Sequence, residues 1–546
     1  MRLSAIVLLI CTSLSLAAQP TKEFTRYDYL HGKLTSLRTC YDVKHYEVHV
    51  KVEPDKRYIS GYNQILFLAT ADFQKMQIDL FSEMHIDSVF LGNLKLDYLR
   101  DSNTVFINTR VKVSKNRLGK LRIYFSGKPR EAKRPPWDGG FVWQQDTAGY
   151  AWVGMACEGI GASMWLPCKD HWSDEPDSAD VFLTVPKPLT GVSNGKLITM
   201  QDVDEKFQLF HWRVSNPINL YGISINVGKY ALIKDEFTPR IHEASKPLSL
   251  NYYVLEYNEE RARKHFQQVQ VMLGCFERYV GLYPFGDDGY KLVETPYWGM
   301  EHQSCVAYGN NYQFNRYNFD FILIHESAHE WFANSLTAAD PAEMWIHESF
   351  TTYAEALYVE CTQGKEASLH YLKDQKRNIE NNQAMVGKPD VFFHAWKDND
   401  IYYKGTWMLH TLRTMLDNDT LFIHTLNDFV KTFEHKIITT SDVIRFWSKR
   451  TGRNLRPFFA HYLYRADLPE LEYQLKTTGD GNIVVRYRWT NTAKNFDMPI
   501  RVTMTKDRWD WVTPLRNWQV IDLNFFNPSE FQVDTQHFLI KLKETK

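Results

Sequence analysis

The sequence predicts a multidomain α+β protein with an N-terminal β-rich domain, a mostly helical central domain and a small C-terminal β-sandwich. The hydrophobic periodicity carries this prediction: it changes from two residues to about 3.6 near residue 250, and returns to two from Leu471. A chain of 546 residues is also too long for one ordinary hydrophobic core. We therefore place the domains at residues 19–235, 236–467 and 468–546, after a leader at residues 1–18.

The leader has the layout of a secretory signal peptide. Arg2 precedes an apolar stretch that runs from Ala5 to Leu16, and the small residues Ala17 and Ala18 follow it. This stretch is too short to span a bilayer, and no later stretch reaches 18 uninterrupted apolar residues. We expect a cleaved leader, a secreted or periplasmic protein and no transmembrane segment; the alternative is a buried or interfacial segment.

Strand patterns occupy the first domain. In "HYEVHVKV" (45–52) every second residue is apolar, as in a half-buried strand. Similar runs recur at 77–98, 103–126, 180–194 and 207–234.

The later domains follow from the same kind of pattern. The segment 258–282 has apolar residues at helical spacing, and this texture continues to about residue 465. In the last domain "TGDG" (478–481) is a hairpin turn signal between two alternating runs.

Bulk charge and cysteine content exclude several classes of protein. The formal net charge is −1, so no global field would attract nucleic acid. Six cysteines remain after the leader, which is far too few for a disulfide scaffold, and their spacing is not that of a cysteine zinc site. Buried free thiols are the simplest interpretation, and one or two bridges are the alternative.

The stretch "HESAHEWFAN" (325–334) has the outline of a zinc site. His325 and His329 are four residues apart, so on a helix they share one face with Cβ atoms roughly 6 Å apart. Glu326 is displaced around the helix, where it can act on a water beside the ion instead of on the ion itself. The apolar surroundings predict one buried helix across 316–336. The pattern alone is only moderately specific, because it arises by chance in roughly a few per hundred such sequences.

Glu348 supplies the third ligand that a two-histidine, one-glutamate zinc site requires. Eighteen residues separate it from His329, enough for a turn at 338–343 and a second helix across 343–358 that returns antiparallel. His347 is a rival ligand, although it points from a different helix face. Glu355, two turns beyond Glu348, either bonds a ligand imidazole or is a solvated helix charge.

These motifs resemble those of the M1 (gluzincin) zinc metalloaminopeptidases, the family of aminopeptidase N and leukotriene A4 hydrolase. His325-Glu326-x-x-His329 with Glu348 matches the family's zinc motif, and "YWGMEHQ" (297–303) is similar to its exopeptidase motif Gly-x-Met-Glu-Asn. "IYYKG" (401–405) resembles Tyr-x-Lys-Gly, and residues 157–176 resemble the segment in which a Gln or Glu lies nine residues before a Pro-Cys pair. The likeness covers about residues 40–470 and implies a thermolysin-like catalytic domain.

The resemblance implies roles for individual residues. His325, His329 and Glu348 would hold one Zn²⁺ per chain, Glu326 would be the general base and Tyr402 would donate to the oxyanion. Glu301 and Glu158 would bind the substrate's free α-amine. Gly299 and Met300 would pair with the substrate backbone as an edge strand does. Only one of the neighbours Tyr402 and Tyr403 is expected to face the site.

The resemblance also implies the function, a zinc aminopeptidase acting on peptides with a free N-terminus. Alternatives are a non-catalytic scaffold of the same fold and a zinc hydrolase with an added epoxide hydrolase-like activity. Trp298 and His302 depart from the usual Gly and Asn of the exopeptidase motif, and His347 from an Asn, which leaves the substrate preference open. The family's large helical C-terminal domain is expected to be absent, giving an open cleft or a homodimer that covers it.

Overall fold

The computed structural model describes residues 23–241, 246–479, 483–505, 508–523 and 528–545, so the leader predicted at 1–18 lies outside the described residues. The fold class predicted from the sequence is confirmed: a β-rich N-terminal part precedes a helical part, and strands return near the C-terminus. Among the described residues, no helix is both long enough and apolar enough to cross a bilayer.

The N-terminal part begins with two short helices and continues as strands. Its elements are α1 Arg26–Gly32, α2 Ser36–Thr39, β1 Tyr41–Glu53, β2 Tyr58–Ala69, β3 Phe73–Asp79, β4 Met84–Leu91, β5 Leu94–Asp101, β6 Thr104–Val113, β7 Leu118–Gly127, β8 Gly140–Gln145, β9 Ala151–Ala156, β10 Ser178–Pro186, β11 Thr190–Val192, β12 Lys196–Asp202, β13 Phe207–Val214 and β14 Asn226–Gly228.

Two sheets organise these strands. In the described chain, ten strands follow the order β12-β13-β10-β1-β2-β7-β4-β5-β6-β3, and a smaller sheet has the order β11-β14-β9-β8. Strand β1 pairs in parallel with β10 and antiparallel with β2. Its alternate residues Tyr46, Val48, Val50 and Val52 are fully buried, as the period of two predicts.

The central part combines one sheet with a group of helices. Its elements are β15 Tyr230–Phe237, β16 Leu248–Leu255, α3 Glu259–His265, α4 Gln267–Tyr279, β17 Tyr290–Glu294, β18 Gly299–Met300, β19 Val306–Tyr308, α5 Phe321–Ala328, β20 Leu336–Ala338, α6 Trp345–Gln363, α7 Lys365–Lys376, α8 Tyr403–Leu416, α9 Asp419–Phe433, β21 Lys436–Ile438, α10 Thr440–Thr451 and α11 Arg456–Tyr464.

The central sheet has the order β15-β16-β17-β19-β18, so β18 lies at its edge. Strand β15 spans the domain boundary predicted at 235 and pairs with β16 along its whole length. Helix α6 lies in the core: from Trp345 to Val359 all of its residues are buried. A disulfide joins Cys275 of α4 to Cys361 of α6, and Cys40, Cys157, Cys168 and Cys305 are buried free thiols.

The single helix predicted across 316–336 is wrong in its extent. Helix α5 begins at Phe321, where the Asp320 side chain accepts from the Leu323 N–H, and it ends at Ala328. A π-type segment follows from Glu330 to Ser335, broken at Phe332 and Ala333 by non-helical backbone angles. The break brings the Phe332 carbonyl to 3.1 Å from Nδ1 of His329. The regular helix is therefore interrupted where the Phe332 carbonyl contacts His329. The periodicity of apolar residues does not reveal such an interruption.

The C-terminal part is β-structured. Its strands are β22 Glu470–Thr477, β23 Ile483–Thr490, β24 Ile500–Thr505, β25 Arg508–Val512, β26 Gln519–Leu523 and β27 Lys541–Glu544. Strands β22 and β23 form the antiparallel pair expected around the turn at 478–481, part of which lies outside the described residues.

Candidate metal and peptide site

Three side chains converge in a cavity of about 680 Å³ between the N-terminal and central parts. His325 lies in α5, His329 is the C-cap residue of α5, and Glu348 lies in the first turn of α6. Their ligand atoms all lie within 4.8 Å of one another. Nε2 of His325 is 3.5 Å and Nε2 of His329 is 3.6 Å from the same Glu348 oxygen, Oε2. Both imidazoles therefore direct Nε2 towards one point.

Glu355 orients the first of these imidazoles. Its Oε1 is 2.6 Å from Nδ1 of His325, and its Oε2 accepts hydrogen bonds from Tyr371 and Gln375. With Nδ1 donating to a carboxylate, Nε2 keeps its lone pair for a metal ion. Glu355 is fully buried, so it is not a solvated helix charge.

Two groups that the sequence analysis missed orient His329. Its Nδ1 is 3.1 Å from the Phe332 carbonyl oxygen and 3.0 Å from Oγ1 of Thr351. Thr351 lies three residues after Glu348, and this one-turn spacing is the signal that would have placed it on the same face of α6. His347 faces elsewhere: its Nε2 accepts from the Ala338 N–H at 2.8 Å, and its ring stacks on Trp172.

The donor set fits a divalent cation because the site has excess buried negative charge. The pKa of Glu326 is raised to about 7: burial is the main cause, the carboxylates of Glu348 and Glu355 add to it, and His325 opposes it. Burial also tends to lower the pKa of His325, but the adjacent carboxylates of Glu348 and Glu355 outweigh this and raise it. Oε2 of Glu348 is buried without a hydrogen-bond partner in the described chain. Two imidazoles and one carboxylate are the ligands that catalytic zinc prefers.

Two more carboxylates, Glu158 and Glu301, line the same cavity. Burial raises the pKa of both, and repulsion from the other carboxylates of the site raises it further. One oxygen of each side chain, Oε1, is buried and has no hydrogen-bond partner among the described residues. Such a pair is suited to an ammonium group, which neutralises charge and donates three hydrogen bonds.

The edge strand β18 runs beside the general-base candidate. Gly299 and Met300 pair antiparallel with Tyr308 and Ala307 of β19, and both line the cavity. A Cβ atom at Gly299 would lie 2.8 Å from Oε1 of Glu326. Glycine therefore lets the strand approach this carboxylate, and the open edge can pair with an extended peptide.

Tyr402 immediately precedes α8, and its ring centroid lies 6.1 Å from that of His325. Helix α8 packs closely on α6, since a Cβ at Gly405 would meet Oγ of Ser349. Lys404 donates to the carbonyl oxygens of Arg465 and Ala466 at 2.9 and 2.6 Å. Both Tyr402 and Tyr403 line the cavity, and the expectation that only one of them faces the site stays a prediction. Both can do so because they stand where the chain enters the helix.

The two residues that depart from the exopeptidase motif, Trp298 and His302, differ in their exposure and hydrogen bonding. Trp298 is 43% exposed at the cavity wall, and its Nε1 donates to Oδ1 of Asn310 at 3.0 Å. His302 is fully buried, and neither ring nitrogen has a hydrogen-bond partner in the described part of the chain. Burial lowers its pKa to about 3, so this ring is uncharged.

Comparison with known proteins agrees with this geometry. Residues 294–462 match the model of the peptidase family M1 domain. The chain carries an M1 peptidase domain. This domain holds His325, Glu326, His329, Glu348, Glu301 and Tyr402, while Glu158 lies before it.

Relatives of the M1 domain align well beyond it. Leucine aminopeptidase 2 of Vanderwaltozyma polyspora is 23% identical over 483 residues, which cover 83% of this chain and 70% of that protein. A probable aminopeptidase 1 of Sulfurisphaera tokodaii is 20% identical, with 84% of this chain and 58% of that protein aligned.

A solved structure shares the fold. The M1 zinc metallopeptidase of Deinococcus radiodurans superposes with a TM-score of 0.64 at 21% identity, covering 79% of this chain and 94% of the other.

Proposed function

We propose that this protein is a zinc-dependent aminopeptidase that hydrolyses the first peptide bond of peptides with a free N-terminus. One observation carries the proposal: two carboxylates, the buried Glu301 and the half-buried Glu158, line the cavity that holds the His325, His329 and Glu348 cluster. Amine binding next to a hydrolytic metal site measures off a single N-terminal residue. A non-catalytic scaffold would not need all of these groups in one cavity.

The residues of the chain divide the chemistry between them. Glu158 and Glu301 hold the substrate ammonium, and the free edge of β18 aligns the substrate backbone. Zinc held by His325, His329 and Glu348 would supply Lewis-acid polarisation and lower the pKa of the attacking water.

Glu326 and Tyr402 act during bond cleavage. Glu326, with a pKa raised by burial to about 7, takes a proton from the attacking water and passes it to the leaving amine. The Tyr402 phenol, whose pKa is raised by burial, keeps its proton and donates to the oxyanion of the tetrahedral carbonyl.

The first test compares free and N-acetylated aminoacyl anilides before and after metal removal by a chelator. Free-amine substrates should be cleaved, acetylated ones should not, and Zn²⁺ should restore the activity lost to the chelator. Turnover of both forms at similar rates would contradict amine recognition. Activity that survives complete metal removal would contradict the zinc mechanism.

We also propose one zinc ion per chain. The cluster of His325, His329 and Glu348 supports this, because a second candidate group, Glu301, Glu326 and His329, shares His329 with it. Metal analysis should give one equivalent of zinc, and two equivalents after dialysis would contradict the proposal.

We propose further that the protein is exported and loses residues 1–18. The signal-like layout of those residues and the Cys275–Cys361 disulfide support this, because disulfides persist in oxidising compartments. The mass of the intact protein from the periplasm or culture medium should correspond to a chain that begins at Gln19. Retention in the cytoplasm with the leader intact would contradict the proposal.

A homodimer through β12 is a proposal as well. All seven residues of this edge strand are exposed, and the four consecutive residues at 197–200 carry no charge. Antiparallel pairing of two copies about Thr199 would set Lys196 opposite Asp202 and Ile198 opposite Met200. Light scattering should report a dimer that Ile198→Lys with Met200→Lys dissociates, and a monomer at every wild-type concentration would contradict it.

A further inference from the structure

We infer that an aromatic wall formed by Trp137, Trp298 and Phe321 is a subsite for the residue after the scissile bond, and that it favours a large apolar or aromatic side chain there. This inference rests on the proposed aminopeptidase function and specifies its substrate class. All three side chains line the cavity that contains the metal cluster.

The three rings are in contact and form a continuous path. The ring centroids of Trp137 and Trp298 are 6.0 Å apart, those of Trp298 and Phe321 are 5.7 Å apart, and those of Phe321 and His325 are 5.3 Å apart. Trp137 is 61% and Trp298 is 43% exposed, while Phe321 is half-buried. The path therefore leads from solvent to the metal cluster, with ring surface left open for a ligand.

The edge strand gives the path its direction. Met300, Gly299 and Trp298 lie one, two and three residues before Glu301, which is the proposed site of the substrate amine. Gly299 approaches the general base Glu326, so the bond to be cleaved lies near this level of the strand. Trp298 lies one residue further from Glu301, and a peptide extended along the strand passes it after the scissile bond.

The indole of Trp298 is held in place on both sides. Its Nε1 donates to Asn310, whose side chain also donates to Gln313 and Asp320, and Phe321 packs against its ring. An indole whose polar atom is already bonded presents its apolar surface to a ligand. Aromatic and long aliphatic side chains gain most from such a surface, and charged ones gain least.

The test measures relative kcat/KM for tripeptides Ala-Xaa-Ala with Xaa as Phe, Leu, Ala or Lys, in competition within one mixture. Wild type should cleave Ala-Phe-Ala roughly 10-fold or more faster than Ala-Ala-Ala. Trp298→Ala should reduce this ratio at least several-fold, and Trp298→Phe should retain most of it. Trp137→Ala provides a second variant of the wall if Trp298→Ala does not fold.

A matched control is Trp509→Ala, since Trp509 is 42% exposed on β25 and lies outside the cavity. This control should leave the ratio unchanged. A parallel series Xaa-Ala-Ala varies the first residue, and Trp298→Ala should not alter its ranking.

The outcomes separate the inference from the proposed function. If wild type cleaves none of these peptides, the aminopeptidase function fails. If it cleaves them with equal rates for Phe and Ala at the second position, the function stands and the subsite inference is overturned. A change of ranking in the Xaa-Ala-Ala series for Trp298→Ala also overturns the inference, because the wall would then hold the first residue.

Discussion

At the scale of single residues, Glu355 shows how one buried side chain fixes a ligand. Its two carboxylate oxygens accept from Nδ1 of His325 on one side and from Tyr371 and Gln375 on the other. Both oxygens therefore have hydrogen-bond partners, and these contacts hold the imidazole in one orientation. Removing the carboxylate leaves the ring free to rotate away from the ion.

We expect Glu355→Ala to weaken zinc binding roughly 10- to 100-fold because the orientation of His325 is lost. Competition with a zinc-binding dye measures this affinity. Glu366→Ala is the control, since Glu366 is a 93% exposed side chain on α7. Equal zinc affinity for wild type and Glu355→Ala would contradict the orienting role.

His302 predicts a pH dependence of stability. Its folded-state pKa, lowered by burial to about 3, lies below the value of about 6.5 for an exposed histidine. The unfolded chain then binds a proton that the folded chain does not, so stability present above about pH 6.5 is lost as the pH falls. Between pH 7.5 and 5 this single residue should cost about 2 kcal/mol of unfolding free energy.

The variant His302→Asn isolates this contribution, because every other histidine is unchanged. Denaturant unfolding at pH 7.5 and 5 should show a smaller loss of stability for the variant than for wild type. The same loss in both proteins would show that His302 is not held uncharged in the fold.

At the scale of elements, α6 unites the site. It carries Glu348, Thr351 and Glu355 on successive turns, and the disulfide from Cys361 anchors its far end to Cys275 of α4. The bridge spans 86 residues of sequence, and this closed loop contains α5 and nearly all of α6.

We expect the double variant Cys275→Ser with Cys361→Ser to be destabilised by about 4 kcal/mol, since a loop of this length gains much conformational entropy in the unfolded chain. Thermal or denaturant unfolding measures the change. The variant Cys157→Ser is the control, because Cys157 is a buried free thiol. A disulfide-free chain as stable as wild type would contradict the expected role of the bridge.

The sequence could predict those elements whose pattern is local. Alternation predicted β1 and the pair β22 and β23, and the spacing of His325, His329 and Glu348 indicated two helices that meet at a metal. What it could not predict depends on contacts between distant residues. Tyr371 reaches Glu355 from another helix, and the pairing of Cys275 with Cys361 leaves no trace in the spacing of the cysteines.

The end of α5 illustrates the other limit. Apolar residues continue at helical spacing beyond Ala328, yet the backbone departs from the helix so that the Phe332 carbonyl meets His329. Periodicity reports which side chains are buried and does not report which backbone groups bond a functional side chain. Local rules fail here because the segment serves the site.

At the scale of the whole molecule, the cavity is built from separate parts of the chain. Trp137 and Glu158 come from the N-terminal part, Glu301 from the edge of the central sheet, and Glu326 from α5. The metal cluster alone could form within the central part, while the proposed amine site also needs Glu158 of the N-terminal part. Recognition and hydrolysis therefore depend on the two parts folding together.

The most direct test of the central claim is zinc content and turnover measured together for wild type and Glu326→Gln. The substitution preserves the shape of the side chain but removes the base, so we predict that zinc stays near one equivalent while kcat for a free-amine peptide falls about 10²- to 10⁴-fold. Full activity of Glu326→Gln with zinc still bound would contradict the account, because the water would then be activated without this carboxylate.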